Sequence, residues 1–292
     1  MTFLLRRLAP GDEAAIEALL ALTPETTIFL RSNLARAGLA DDGAPFSGTW
    51  VGAFEDERLV GVAAHFWNDN IVIAPGPHAE VAAAHAVAIG ARRVAGLLGP
   101  HEEVVRVRRA LGLGEAAVRS SSKEILYQLP LDALNLPAAV TERRVLVRPP
   151  QDDELSALLD WRMQYCEETS RIPDTPETRA AQRQYLEGYQ AKGHHFVVTA
   201  AGERVAYSAL NATVADIVQI GGVWTPPALR GRGHARCAVA GSLRIARARG
   251  ARLAVLFTDE KNASAQRAYV AIGFRPVGDY AIVFFADADA DL

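Results

Sequence analysis

The chain has 292 residues, half of them hydrophobic and 22% charged, with a mean hydropathy of +0.05, a composition that can bury one large core or two ordinary ones and excludes a disordered chain. A formal net charge of −3 excludes a general nucleic-acid binder, which needs a surplus of Lys and Arg on one face. No apolar run reaches membrane-spanning length, and two cysteines, Cys166 and Cys237, without CxxC spacing exclude a disulfide framework or a structural zinc site.

These totals describe a soluble, cytoplasmic protein with no nucleic-acid, membrane or metal partner. Along the chain, LLRRL at 4–8 reads as a strand and DEAAIEALLAL as a helix opened by Asp12 as N-cap. WVGAFEDERLVGVAAHFW reads as a hairpin turning at Glu55 to Arg58, IVIA as a further strand, HAEVAAAHAVAIGAR and HEEVVRVRRALGL as two helices, and EILYQLPL as a strand. NLPAAVTERRVLVRPP, with Pro137, Pro149 and Pro150, reads as a connector.

The second half of the chain repeats the first. RVLVRPPQDDELSALLDW parallels LLRRLAPGDEAAIEALLA, ERVAYSALNA from 203 parallels ERLVGVAAHFW from 57, and AIGFRPVGD from 271 parallels ALGLGEAAV from 110. Consistent order and spacing favour two copies of one α/β unit, divided as residues 1–138 and 139–292.

In the second copy DIVQIGGVWT reads as a strand, PPALRGRGHA as a loop and ARCAVAGSLRIARARG as a helix. A strand, a glycine-containing loop and a helix start bring unpaired N–H groups and the positive dipole end together, which suits an anion. Gly231 and Gly233 permit positive φ and close backbone approach, and Arg230 and Arg232 add charged donors. The alternative is an ordinary helix start with solvated arginines. A Walker A loop and a GxGxxG dinucleotide loop are both absent.

Arg230-x-x-Gly233-x-Ala235, following Val223-Trp224-Thr225, resembles the acyl-CoA-binding motif of the GNAT superfamily of acetyl-CoA-dependent N-acyltransferases. Asn262, Ala265, Tyr269 and Gly273-Phe274 fall in the spacing of that family's companion segment. The resemblance is strong over 196–285 and weaker over 146–195. Over 1–135 it rests on the internal repeat, and NDNIVIAPGPHAEVAAAH at 68–85 lacks the loop pattern. The chain thus resembles a tandem GNAT protein whose N-terminal copy is degenerate, each copy an α/β (α+β) domain with a mixed, mostly antiparallel twisted sheet flanked by helices.

The resemblance implies a direct N-acetyl transfer from acetyl-CoA to a primary amine, borne by a small molecule or a peptide, in a ternary complex. It implies that the pyrophosphate sits on Arg230, Gly231, Arg232, Gly233, His234 and Ala235. The pantetheine arm would pair along Val223, Trp224 and Thr225, with Asn262 and Ser264 assisting. Tyr269 would protonate the departing thiolate, as a phenol of ordinary pKa about 10 is able to do.

A general base is less legible: Asp216 and Gln219 are the polar residues of the strand, and Glu168, beside Glu167, is the candidate on the acceptor side, with solvated carboxylates as its alternative. Trp161 and Trp224 are candidates for the floor of an acceptor pocket or for core packing. His194-His195 read as a loop end rather than a metal pair, and Ser120 to Ser122 lack a triad partner. The competing function is a catalytically silent acyl-CoA-binding sensor; a third, aminoacyl-tRNA-dependent transfer, is disfavoured by net charge and by the intact loop. The amine and the oligomeric state are not specified by the sequence.

Overall fold

The computed structural model describes residues 3–286. In chain order the elements are β1 (Phe3–Arg7), α1 (Glu13–Leu20), α2 (Pro24–Ala37), β2 (Gly48–Glu55), β3 (Arg58–Phe66), β4 (Asn70–Ile73), α3 (Ala79–Gly90), β5 (Gly96–Pro100), α4 (His101–Ala110) and β6 (Val118–Pro130). They continue as α5 (Ala138–Thr141), β7 (Val145–Arg148), α6 (Leu155–Ser170), α7 (Pro176–Lys192), β8 (His195–Ala200), β9 (Glu203–Val214), β10 (Ile217–Trp224), α8 (His234–Ala248), β11 (Leu253–Asp259), α9 (Ala263–Val270) and β12 (Arg275–Phe285).

The described residues divide into two compact units, one of residues up to 126 together with those from 278 onward, and one of residues 127–277. That division differs from a simple cut at 138/139, because the last strand enters the first unit: Tyr280–Phe284 of β12 pair antiparallel with Pro100–Gly96 of β5.

Within the first unit β1, β2, β3 and β4 pair antiparallel in sequence and β4 pairs parallel with β5 over Asn70–Val72 and Gly96–Leu98. The second unit repeats this: β7, β8, β9 and β10 are antiparallel, and β10 is parallel to β11 over Ile217–Gln219 and Leu253–Val255. Matching strand for strand, with a three-residue parallel ladder in the same place, is what duplication of one mostly antiparallel unit requires.

The expected hairpin turn falls at Asp56 and Glu57, whose φ of 47° and 66° suit a tight two-residue connection. Asp12 sits at the start of α1 but does not cap it with its side chain. Its carboxylate instead takes both Arg6 Nη1 and Nη2 at 2.7 Å, which holds its pKa down to about 2. Two helices escaped the periodicity reading. α2 buries Thr27, Arg31 and Ser32 among its apolar residues, and α7 buries only Leu186 and Tyr189 in an otherwise polar run.

In each unit the strands are covered by helices on both faces. In the second unit α8 covers one face; its buried Gly241 lies so close to β7 that an added Cβ would overlap Val147. α6 and α7 cover the other face, over a core that includes Leu158, Met163, Leu186, Val197, Tyr207 and Trp224. Among the described residues no helix is long and apolar enough to cross a membrane.

Candidate functional site

The second unit opens at the end of β10. Its parallel ladder with β11 stops at Gln219, while on its other edge β10 continues with β9 as far as Trp224 and Tyr207. The β9 ladder shifts register twice, once at Gln219/Ile220 and once between Gly221 and Trp224. Gly221 and Gly222 make the second possible: a Cβ on Gly221 would overlap the Asn211 amide, and Gly222 has φ 59°. From Ile220 onward the β11-facing edge of β10 is therefore released from its neighbour, leaving backbone donors and acceptors for an extended ligand.

The loop after β10 runs through Pro226 and Pro227 to Gly231 (φ 77°) and Gly233 (φ 80°), both left-handed, and α8 starts at His234. Cys237 N–H, donating to the Gly233 carbonyl at 3.1 Å, makes the first helical bond. Among the described residues, the N–H groups of Gly231 through Arg236 have no acceptor in the protein. A Cβ at Gly231 would meet nothing within 4 Å. Convergent free donors, open space and a helix dipole are what a phosphate group needs.

The arginines of the loop divide. Arg232 is exposed and donates only to the carbonyl of Ala228, at 3.3 Å. Arg230 is also exposed but is tied down by protein partners: its guanidinium lies 4.8 Å from the centroid of the Trp224 ring, Nε donates to the Thr225 carbonyl at 3.0 Å, and Nη2 donates to Glu168 Oε2 at 2.8 Å. The Thr225 carbonyl is thus already engaged, whereas Gln219 Oε1, Trp224 Nε1 and Thr225 Oγ1 are buried without partners. Burial, and then the charge of Arg232, lower the pKa of His234, so its imidazole is neutral at pH 7.

Tyr269 lies on α9 with 7% of its surface exposed, edge-on to Tyr127 at 6.4 Å and to Phe274 at 6.1 Å. Asn262 caps that helix through Oδ1, which accepts from Ala265 N–H at 3.1 Å. Its side chain therefore holds α9 in place; Ser264 is exposed beside it. Trp224 is buried against α6 and Trp161 packs on the same core. His195 is buried between Tyr207 Oη at 3.2 Å and Gln190 Oε1 at 2.6 Å, and burial lowers its pKa to about 4. Among the described residues no group of His, Cys, Asp and Glu could hold a metal ion.

Sequence reasoning missed Arg162, Tyr185, Tyr189 and Asn211, which cluster beside the β10 glycines. Arg162 Nε donates to Gln182 at 2.8 Å, and Tyr189 Oη donates to Asn211 Oδ1 at 2.8 Å. The readable signal was the Gly221-Gly222 pair inside a strand.

Among the described residues the first unit offers no second loop of this kind. The link from β4 to α3 is short, Gly76 sits with its Cβ position 2.8 Å from the Val60 carbonyl, and His78 stacks on Phe3 at 4.0 Å while bonding Glu55 at 2.9 Å. Packing occupies the place that the glycine–arginine loop has in the second unit.

Residues 155–274 match the sequence model of the Acetyltransferase (GNAT) family. No curated protein matches the chain. Among solved structures, a GNAT-family acetyltransferase from Colwellia psychrerythraea aligns over 97% of this chain and 100% of its own at 14% identity and a TM-score of 0.53. A tandem GNAT protein from the clavulanic acid biosynthesis pathway aligns over 99% and 100% at 13% identity and 0.56. A GCN5-related N-acetyltransferase from Sphaerobacter thermophilus aligns over 96% and 94% at 17% and 0.55. At these identities the likeness is one of fold.

Proposed function

We propose, on the match of residues 155–274 to the acetyltransferase (GNAT) family model, that this chain transfers an acetyl group from acetyl-CoA to a primary amine by direct attack. The observation that carries the reading is the run of unpartnered N–H groups from Gly231 to Arg236, at the end of a strand released from its parallel neighbour. The residues fit the cofactor: these amides, with Arg232, would hold the pyrophosphate, and the β10 edge at Val223 and Trp224 would pair the pantetheine arm. Bound there, acetyl-CoA supplies an activated thioester.

The chain's own residues do the rest. Backbone N–H groups at the β10 end polarise the carbonyl under attack. Tyr269, a buried phenol on α9, is the proton donor to the departing sulfur. Glu168 is the acceptor-side carboxylate, and its Oε2 is occupied by Arg230; to take a proton from the amine it must use Oε1 or release that arginine. This engagement favours one second reading, an acyl-CoA-binding sensor without turnover.

One experiment separates the two. Titrating the full-length protein with acetyl-CoA in a calorimeter should give one site, and incubation with a broad amine panel should release free CoA thiol. Binding without thiol release on any amine supports the sensor; no binding overturns both.

A further inference from the structure

We propose that the amine acted on by this chain carries a carboxylate, and that Arg162 is the residue that receives it; the inference rests on the acyl-transfer reading above. Arg162 stands on α6 facing α7, partly buried. Its guanidinium carbon lies 4.6 Å from the centroid of the Tyr185 ring and 5.1 Å from that of Tyr165, so aromatic faces flank the charge. Nε is taken by Gln182, a neutral partner. Among the described residues no carboxylate lies within ion-pair distance of Arg162, and its Nη groups have no acceptor.

Several other buried or partly buried arginines meet a carboxylate: Arg31 pairs with Glu17, Arg92 with Asp41 and Arg148 with Glu154, while Arg108 spends Nε and Nη2 on the Leu113 and Gly114 carbonyls. A half-desolvated guanidinium with a free fork is poised for a planar anion that arrives with the ligand, because fork and carboxylate match bidentately.

Its position makes the fork useful. Nη1 lies 3.6 Å from where a Cβ on Gly222 would stand, so the cation reaches β10 at its irregularity, three residues past the end of the β11 ladder. Asn211, tied to Tyr189 and Tyr185, borders the same glycines. Arg162, Tyr165, Asn211 and Gly221 are all partly exposed, so the fork is open to solvent. A substrate anchored there by its carboxylate would present an amine to the β10 edge on which the thioester is proposed to lie.

The test uses full-length protein and matched probes: glycine, alanine, glutamate and phenylalanine, each beside its primary amide, and phosphoethanolamine beside ethanolamine. Free-thiol release with acetyl-CoA is measured for the wild type, Arg162→Lys and Arg162→Gln. At least one acid should be used about tenfold or more better than its amide. Arg162→Gln should erase that preference by raising KM for the acid, with acetyl-CoA affinity unchanged, and Arg162→Lys should restore part of it. Preference for phosphoethanolamine would assign the fork to a phosphate and overturn the carboxylate. Equal use of acids and amides, or equal loss of both in Arg162→Gln, would make Arg162 a clasp between α6 and α7 and overturn the proposal. Thermal shifts with the same probes need no turnover: an acid, and not its amide, should stabilise the wild type and leave Arg162→Gln unmoved. Absence of that shift overturns the proposal even if transfer is observed, and its presence without thiol release overturns the acyl-transfer reading alone.

Discussion

Arg230 and Glu168, 62 positions apart in sequence, meet through one 2.8 Å ion pair that ties the loop before α8 to the last turn of α6. The pair is half exposed, so its contribution to stability is under about 1 kcal/mol. Its effect on binding is larger, because Glu168 neutralises a cation beside the anion loop. Glu168→Gln should leave Tm nearly unchanged and tighten acetyl-CoA binding about threefold by freeing Arg230, read by calorimetry. A fall in kcat of about 100-fold with unchanged affinity would instead make Glu168 the general base.

Tyr269→Phe removes one hydroxyl and keeps the ring packed against Tyr127 and Phe274. For a thiolate proton donor, kcat should fall by about 100-fold or more while the acetyl-CoA Kd holds. Single-turnover kinetics beside calorimetry reads both. Wild-type turnover in the variant would remove Tyr269 from the chemistry.

Two glycines separate binding from packing. Gly231→Ala meets no neighbour and acts only through its left-handed backbone, a cost of about 1 kcal/mol. Acetyl-CoA affinity should weaken several-fold with little change in Tm. Gly241→Ala drives a methyl into Val147 in the α8–β7 packing, and should cost about 1–3 kcal/mol. Paired denaturation and calorimetry curves should show Tm falling in Gly241→Ala before binding is touched.

His195 couples stability to pH. Nε2 faces the Gln190 carbonyl oxygen and so carries the proton, leaving Nδ1 to accept from the Tyr207 hydroxyl. Burial lowers its folded pKa to about 4, below the free value near 6.5. The depressed value means the folded state favours the neutral ring. That stability is complete above pH 6.5, declines as pH falls because the unfolded chain takes up the proton first, and is lost on passing pH 4. Urea midpoints between pH 4 and 8 should slope downward with acid in the wild type and flatten in His195→Gln.

Much of this arrangement was legible. Alternating apolar residues and the Asp56-Glu57 turn located the first hairpin, while Pro226-Pro227 and the two loop glycines located the break between β10 and α8. α7 was not read, although Thr175-Pro176, whose hydroxyl accepts from Thr178 N–H at 3.2 Å, carries a helix-start signal; its polar interior hid the period. α2 was hidden differently, since Arg31 is buried only because Glu17 on α1 pairs with it. The acceptor-side cluster draws Arg162 from α6, Tyr185 from α7, Asn211 from β9 and Gly222 from β10, so no local window contains it. Glu168 was visible as a carboxylate, but its partner was not, because the pairing depends on how the loop folds back over Trp224.

The strand that closes the first unit follows the whole of the second unit in the chain. While the chain is being made, β5 emerges early and its outer edge, Gly96–Pro100, stays open until Tyr280–Phe284 leave the ribosome. An open edge of this kind recruits other strands, so the nascent first unit is prone to mispair while the second unit is being made. Stop codons or proteolysis anywhere between 130 and 277 would release a fragment with that edge exposed, and fragments of this protein should aggregate where the intact chain does not.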